Sequence, residues 1–294
     1  MFTVQSTKEK ISKNLSHTGV IILSNFKNKT IFITGATRGI GKAIALRFAK
    51  EGANIVIAAK TAKPHPKLPG TIFDAAKEVE SVGGTALPIR TDIRDENQIS
   101  DAVNQAVETF GSIDALVNNA SAISLTGTLE TPMKKFDLMF GVNVRGTYAV
   151  SQACLPYLLK SNNPHILNIA SPVNLNPRWF QGHTAYTMAK YGMSMCVIGM
   201  SEEFKKDGLA VNALWPKTII DTAALRLVPG IDSEASRDPN IMADAAYSIL
   251  TKDSKTCSGN FFLDEEVLRS DGVTDFSNYM VNPNKTPTPD LFLD

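Results

Sequence analysis

Two residues with complementary acid-base chemistry, Tyr186 and Lys190, stand four positions apart in a segment of helical periodicity. Residues at this spacing lie on one face of a helix, so the phenol and the ammonium are expected to be neighbours. A nearby positive charge lowers a tyrosine pKa from about 10 by roughly one to three units, toward the range of a working acid or base. The same spacing occurs on many ordinary helices, so this pair alone does not indicate catalysis.

A glycine-rich stretch, TGATRGIG at 34–41, lies between the apolar run IFI and the helical pattern AIALRFAK. A turn from a strand into a helix presents unpaired backbone N–H groups, which bind anions. Glycine permits the tight turn and lets the backbone approach a pyrophosphate closely. The stretch therefore predicts a dinucleotide site. Glycine-rich turns also form without any ligand, so this interpretation depends on the strand and helix around it.

The elements that must position these residues alternate along the chain. Most of the short apolar runs are apolar on both faces, which is typical of parallel strands covered by helices. They lie at 30–34, 54–59, 86–92, 114–120, 165–171, 209–216 and 260–264, and helical patterns lie at 41–51, 72–82, 96–109, 132–160, 185–206 and 241–251. The pattern predicts a single-domain α/β protein, with a Rossmann-type doubly wound parallel sheet of seven strands and helices on both faces. Residues 27–264 would form this domain, with a polar arm at 1–26 and an extension at 265–294.

The composition narrows the class of partner. The 294 residues carry a formal net charge of +1, which provides no basic field for nucleic acid. The three cysteines are far apart and show no metal-ligand spacing, so no metal site is expected. No apolar run is long enough for a signal peptide or a membrane span. We expect a soluble, cytoplasmic protein that acts on a small molecule.

The second predicted strand indicates which nicotinamide cofactor would fit. Ala59 stands about 20 residues after the glycine turn, where an acidic residue would bind the ribose 2′-hydroxyl of NAD. Lys60 and Arg38 would instead provide cations for the 2′-phosphate of NADP. NADP is therefore favoured over NAD, although the two cations could also be simply solvated.

Further motifs appear in the same order as in one known family. NNAS at 118–121, NVRG around Asn143, LNIAS at 167–171 and YTMAK at 186–190 follow the TGxxxGxG turn. With these motifs the chain resembles the short-chain dehydrogenase/reductase family across about 30–264. The resemblance implies that Tyr186 donates a proton to a carbonyl, that Lys190 holds the nicotinamide ribose and lowers the tyrosine pKa, and that Asn143 fixes a water. Ser171 would polarise the carbonyl.

The resemblance also implies the cofactor-binding residues. They are Gly35, Thr37, Arg38, Gly39, Ile40, Gly41, Lys60, Asp92, Asn119, Tyr186, Lys190, Pro216 and Thr218. Asp92 would bind adenine or, alternatively, cap a helix. Ser171 lies 15 residues before Tyr186, about two more than is common, so Thr184 or a backbone group could replace its hydroxyl. Lys217 stands where the family usually has glycine.

A narrower resemblance is to the hydroxysteroid dehydrogenase-like protein 2 group, in stretches such as NLNPRWF, NALWPKT and the tail PDLFLD. That group often carries a following sterol-carrier domain, before which this sequence stops. Trp179 and Phe180, at the expected mouth of the active site, favour an apolar substrate or, alternatively, simply pack a lid against the body. The sterol-carrier domain of that group implies lipid-like or fatty-acyl chemistry. Resemblance to the short-chain dehydrogenase/reductase family implies a homodimer or homotetramer formed through 132–160 and 185–206. A nucleotide-binding sensor or scaffold without turnover, or an enoyl-thioester reductase, remains an alternative.

Overall fold

The computed structural model describes residues 26–66, 68–228 and 230–293. The predicted arm at 1–26 lies outside these residues except for Phe26, whose ring packs edge-on against Phe48 with the centroids 4.6 Å apart. Lys67 and Pro229 also lie outside. No helix in the described ranges is both long enough and apolar enough to cross a membrane.

Seven parallel strands form one sheet in the order β3-β2-β1-β4-β5-β6-β7. The strands are β1 Thr30–Thr34, β2 Asn54–Ala59, β3 Thr85–Arg90, β4 Ala115–Asn118, β5 His165–Asn168, β6 Ala210–Trp215 and β7 Phe261–Leu263. The chain order reverses between β1 and β4, which places the carboxyl ends of these two strands on either side of a crevice. The predicted doubly wound fold is confirmed.

Helices cover both faces of the sheet. They are α1 Gly39–Ala49, α2 Ile72–Ser81, α3 Glu96–Phe110, α4 Met133–Met139, α5 Thr147–Leu158, α6 Thr184–Glu203, α7 Asn240–Thr251 and α8 Asp264–Ser270. Along β1, Ile31 and Ile33 contribute to one apolar core and Phe32 to the other. Strand side chains alternate between the two faces, so an apolar strand such as TIFIT supplies both cores at once.

The predicted helix at 132–160 is interrupted. A π-helical turn, Phe140–Gly146, separates α4 from α5. Within this turn the buried Asn143 accepts a hydrogen bond from the Ala122 amide (2.7 Å) and donates one to the Ala122 carbonyl (2.9 Å). The side chain therefore bonds to a backbone segment outside its own helix. Such tertiary contacts do not appear in a pattern of helical periodicity, which is why the sequence predicts one uninterrupted helix.

Strands β4 and β5 are joined by buried polar side chains as well as by their backbones. The amide of Asn118 donates to the Asn168 oxygen (2.9 Å) and to the Ser151 hydroxyl (3.0 Å). Asn118 is paired directly with Asn168 in the sheet register. The network fixes the position at which each strand ends, and both ends lie at the edge where ligands bind in such sheets.

The segment after β7 continues as ordered structure. Helix α8 buries Val267 and Leu268 against the core that α1 and α7 share. The chain then returns over the body, and Pro289 forms an isolated antiparallel bridge with Thr218. Residues 287–293, which we call the strap, contact the segments that follow β5 and β6.

Candidate active site

The glycine turn has the conformation that only glycine adopts readily. Gly35 and Gly39 have φ values of 69° and 55°. A Cβ atom on Gly41 would lie 2.3 Å from Nδ2 of Asn119, so the turn packs directly on the segment after β4. The Asn119 amide donates to the carbonyls of Thr34 (2.9 Å) and Gly35 (3.2 Å). Asn119 therefore holds the turn in place.

Helix α1 begins at this turn without a capping side chain. Arg38 is at its N-cap and makes no side-chain cap hydrogen bond. The first amides of a helix without such a cap can bind an anion. They face a cavity of about 780 Å³ between the carboxyl ends of β1 and β4. Predicted residues that line this cavity are Gly35, Thr37, Arg38, Gly39, Ile40, Lys60, Asp92 and Asn119.

The cationic end of the cavity is built around Arg38. Its guanidinium donates to the Pro69 carbonyl (2.8 Å), the Gly70 carbonyl (3.0 Å) and the Thr61 hydroxyl (3.2 Å). These bonds hold the 61–70 loop beside the cavity, and Lys60 lines the same end. Ala59, at the end of β2, contributes no carboxylate. The place where a ribose 2′-substituent would lie is therefore bordered by two cations.

Asp92 lies at the cavity wall but is already paired. Its carboxylate accepts from Nη2 (2.5 Å) and Nε (3.0 Å) of Arg94, and these hydrogen bonds lower its pKa. Helix α3 is capped by Asp95, whose carboxylate accepts from the amides of Asn97 and Gln98. The alternative interpretation of Asp92 as a helix cap is therefore wrong.

Tyr186 and Lys190 lie on α6 and are almost fully buried, with 5% and 3% of their surface exposed. The Lys190 ammonium donates to the Ile169 carbonyl (3.0 Å), which places it at the carboxyl end of β5. Burial lowers the lysine pKa to about 8 and raises the pKa of the tyrosine, and the carboxyl group of Asp290 raises that tyrosine pKa further. The tyrosine is thus a weaker acid here than the sequence alone predicts.

Ser171 is fully buried, and its hydroxyl has no hydrogen-bond partner among the described residues. Its carbonyl accepts from the Ser194 hydroxyl of α6 (2.7 Å). The 172–183 loop, which joins Ser171 to α6, forms a short 3₁₀ turn at Pro177–Trp179. Thr184 donates to the Phe180 carbonyl (2.9 Å), so its hydroxyl is engaged at the start of α6. Of the two hydroxyls, only that of Ser171 is unpaired.

Pro216 and Thr218 follow β6 and do not line the cavity. The Thr218 hydroxyl is buried and finds no partner in the described ranges. Lys217 donates to Glu265 (3.2 Å), an acidic residue that also pairs with the buried Arg237. The charge of Lys217 is therefore partly neutralised within the protein. The described residues contain no cluster of three potential metal ligands.

Sequence reasoning missed the strap. Phe292 is 1% exposed, and its ring lies 6.3 Å from that of Tyr186, nearly parallel to it. Part of Asp290 is exposed, yet burial of its carboxyl group raises its pKa to about 7. The only local signal is the apolar triplet Leu291–Leu293 after Pro287 and Pro289. Such a triplet does not reveal which distant surface it covers.

Comparisons with known proteins agree with this geometry. The family model described as short chain dehydrogenase matches residues 29–228. Hydroxysteroid dehydrogenase-like protein 2 of Danio rerio is 63% identical over 266 residues, covering 90% of this chain and 64% of the relative. The chain thus spans less than two thirds of that relative. The crystal structure described as a putative dehydrogenase from Xanthomonas campestris has a sequence 55% identical to this chain and a TM-score of 0.90. The match covers 92% of this chain and 99% of that chain.

Two more distant structures share the fold only. A metagenomic short-chain oxidoreductase in complex with NADP is 24% identical (TM-score 0.68; 82% of this chain, 97% of that chain). A short chain dehydrogenase of Mycobacterium paratuberculosis bound to NAD is 21% identical, with a TM-score of 0.69, and the match covers 82% of this chain and 97% of that chain. The present chain belongs to the short-chain dehydrogenase family of NAD(P)-dependent oxidoreductases.

Proposed function

We propose that the chain is an NADP-dependent oxidoreductase that interconverts a carbonyl and a secondary alcohol on an apolar, lipid-like or fatty-acyl small molecule. The observation that carries the proposal is the placement of Tyr186 and Lys190. Lys190 bonds to the carboxyl end of β5, next to the strand that borders the cavity. The acid-base pair and the predicted dinucleotide site therefore share one edge of the sheet.

The residues of the chain would divide the proton chemistry among themselves. The Tyr186 hydroxyl donates its proton to the carbonyl oxygen in reduction and accepts it in the reverse direction. The Lys190 ammonium, with its pKa lowered only to about 8, is largely protonated at neutral pH and stabilises the phenolate that remains. The unpaired Ser171 hydroxyl is available to donate to the same carbonyl oxygen. A bound nicotinamide dinucleotide would supply or accept the hydride.

The cavity fits such a dinucleotide by its shape and its charge. The glycine turn leaves no space for a Cβ atom at Gly41, and the first α1 amides are free of a side-chain cap. A pyrophosphate at this position would meet backbone N–H groups directly. Arg38, at the N-cap of α1, and Lys60, after β2, line the same cavity, and both could neutralise the extra phosphate of NADP.

The proposed activity is tested with a panel of ketones, secondary alcohols and enoyl thioesters, each assayed with NADPH and with NADH. Replacing Tyr186 with Phe should abolish carbonyl turnover and change the cofactor Kd little, because the ring stays in place and only the hydroxyl is lost. Turnover that survives this substitution would refute the assignment of the acid. Binding of the cofactor without turnover of any compound would favour the sensor or scaffold, and turnover of enoyl thioesters alone would favour the third alternative.

The cofactor preference is tested with Lys60→Ala. A charge-assisted contact contributes about 1.5–3 kcal/mol, so the NADPH Kd should rise roughly tenfold to a hundredfold. The NADH Kd should stay nearly constant. Lys63→Ala, in the neighbouring loop, is the matched control. Arg38 is less suitable because its guanidinium also holds the 61–70 loop. Equal weakening of both cofactors would contradict the preference for NADP.

The proposed assembly is a homodimer or homotetramer formed through α4 to α6. Large apolar side chains are exposed on these helices: Met133, Leu138, Tyr148, Met188, Met195 and Ile198. Exposed apolar side chains of this size are enriched at subunit interfaces, which supports this proposal. The cytoplasmic location remains a prediction.

A further inference from the structure

The ring of Phe292 fills a box of aromatic side chains next to the proposed acid. Its centroid lies between 5.4 and 6.3 Å from the centroids of the rings of Trp179, His183, Tyr186, Tyr191 and Trp215. The box therefore has space for an apolar group of about the size of a benzyl group. Its walls come from the 172–183 loop, α6 and the end of β6, the segments that would surround a substrate carbonyl at Tyr186.

The strap bonds through its backbone to both sides of this box. On one side the Trp215 indole donates to the Leu291 carbonyl (3.0 Å), and the Asp290 amide donates to the Lys217 carbonyl (3.1 Å). On the other side Arg178 donates to the Leu293 carbonyl (3.2 Å). The strap thus connects the segment after β6 with the loop after β5, across the approach to Tyr186.

With the strap docked, the proposed catalytic hydroxyls are shielded from solvent. Tyr186 is 5% exposed and Ser171 is fully buried. The Ser171 hydroxyl, the Thr218 hydroxyl and the Trp179 indole N–H are all buried without partners in the described part of the chain. Buried polar groups normally find partners, so each of these groups is available to bond to another molecule.

We propose that the strap closes the substrate cleft in the resting state, with Phe292 occupying the subsite that receives the apolar group of the substrate. This inference rests on the proposed carbonyl chemistry at Tyr186. A substrate with a phenyl or similar apolar group next to its carbonyl displaces Phe292 from the aromatic box and brings its oxygen to the unpaired hydroxyl of Ser171. Binding and strap release are then one event, and the strap competes with the substrate.

The two tryptophans of the chain, Trp179 and Trp215, both lie against Phe292 and report on the strap directly. Acrylamide quenching of their fluorescence should be weak in the wild-type chain. Quenching should be stronger in Phe292→Ala, and stronger in the wild type when phenylacetone and NADP⁺ are added, a pair that does not turn over. The control Phe276→Ala removes a similarly buried phenylalanine of the same extension, whose ring packs on Tyr279 and not in the box. Its quenching should match the wild type.

A second measurement does not depend on a variant that folds. Lys285 precedes the strap and pairs with Asp232 and Glu234. Trypsin should cleave the wild-type chain after Lys285 faster when phenylacetone and NADP⁺ are present, because the released strap exposes this bond. The same ketone without a phenyl group, acetone, should have no effect.

Kinetics provide the third readout. If the strap is docked in about nine of ten molecules, the apparent affinity for a competing ligand is about tenfold weaker than its intrinsic affinity. In Phe292→Ala, phenylacetone should therefore show a KM at least about threefold lower than in the wild type while kcat is retained, and Phe276→Ala should leave both parameters unchanged.

A higher KM in Phe292→Ala, with no change in quenching or cleavage when the ketone binds, would show that the strap is a fixed wall of the site and would overturn the inference. If no ketone is turned over and Tyr186→Phe changes nothing, the proposed function fails. In that case quenching and cleavage still decide whether Phe292 leaves its box.

Discussion

Docking of the strap should weaken as pH rises, because of Asp290. Burial raises the pKa of its carboxyl group to about 7 from the ordinary 3.8, and the carboxyl group of Asp264 raises it further. The hydrogen bond from the Leu291 amide and the charge of Lys190 oppose this rise. The folded protein thus binds this proton more tightly than the unfolded chain does. The stability it contributes is complete below about pH 4 and is lost progressively until the pH passes about 7.

The two pKa values give the size of the effect. Between pH 5 and pH 8 the free energy of unfolding should fall by about 3 kcal/mol through Asp290 alone, since one pKa unit corresponds to 1.36 kcal/mol. Asp290→Asn keeps the shape of the side chain and removes its titration. Between pH 5 and pH 8, the free energy of unfolding of the variant should therefore fall by about 3 kcal/mol less than that of the wild type.

Urea unfolding of both proteins at pH 5 and pH 8 measures the difference. His165, with a pKa lowered by burial to about 4, and Asp264, with a pKa raised by burial to about 6, titrate in both proteins. Subtracting one pH dependence from the other removes the contribution of His165, and the difference that remains is that of Asp290 together with its coupling to Asp264 and Lys190. If the two proteins lose the same free energy of unfolding between pH 5 and pH 8, within about 0.5 kcal/mol, the reasoning is refuted.

Three further substitutions have expected outcomes. Gly41→Ala places a Cβ atom 2.3 Å from Nδ2 of Asn119. The substitution should lower the free energy of unfolding in urea by about 1–3 kcal/mol and raise the NADPH Kd at least about tenfold. A variant that matches the wild type in both measurements would contradict the close packing of the turn. Ile198→Glu introduces a charge at a half-exposed position of α6 and should yield monomers in light scattering, whereas an unchanged mass would exclude this face as the interface. Asp114→Ala leaves the buried Thr30 amide without its acceptor and should lower the free energy of unfolding by about 2 kcal/mol with kcat unchanged.

The sequence predicted the sheet and most of the cavity wall because their signals are local. A strand such as TIFIT shows its double burial in its own residues, and the turn at Gly35 and Gly39 shows its conformation in its own composition. Eight predicted cofactor residues line one cavity for the same reason. Each lies at the end of a strand or the start of a helix, where the fold brings such positions together.

The features that the sequence did not predict depend on contacts between distant segments. The π-helical turn accompanies the bonds of Asn143 to Ala122, which is 21 positions away. The box around Phe292 is built from residues 77 to 113 positions earlier in the chain. The raised pKa of Tyr186 follows from that burial. A neighbouring lysine, which is all that the sequence shows, predicts a pKa shift in the opposite direction.

The amide network between β4 and β5 restricts how the sheet can assemble. If β4 slipped by one residue against β5, Asn118 would no longer face Asn168, and polar amides would be left unpaired in the interior. Alternative pairings of these two short strands are therefore disfavoured. The network selects the arrangement in which Asn119 meets the glycine turn, so the same amides that join the strands help to determine where the cavity forms.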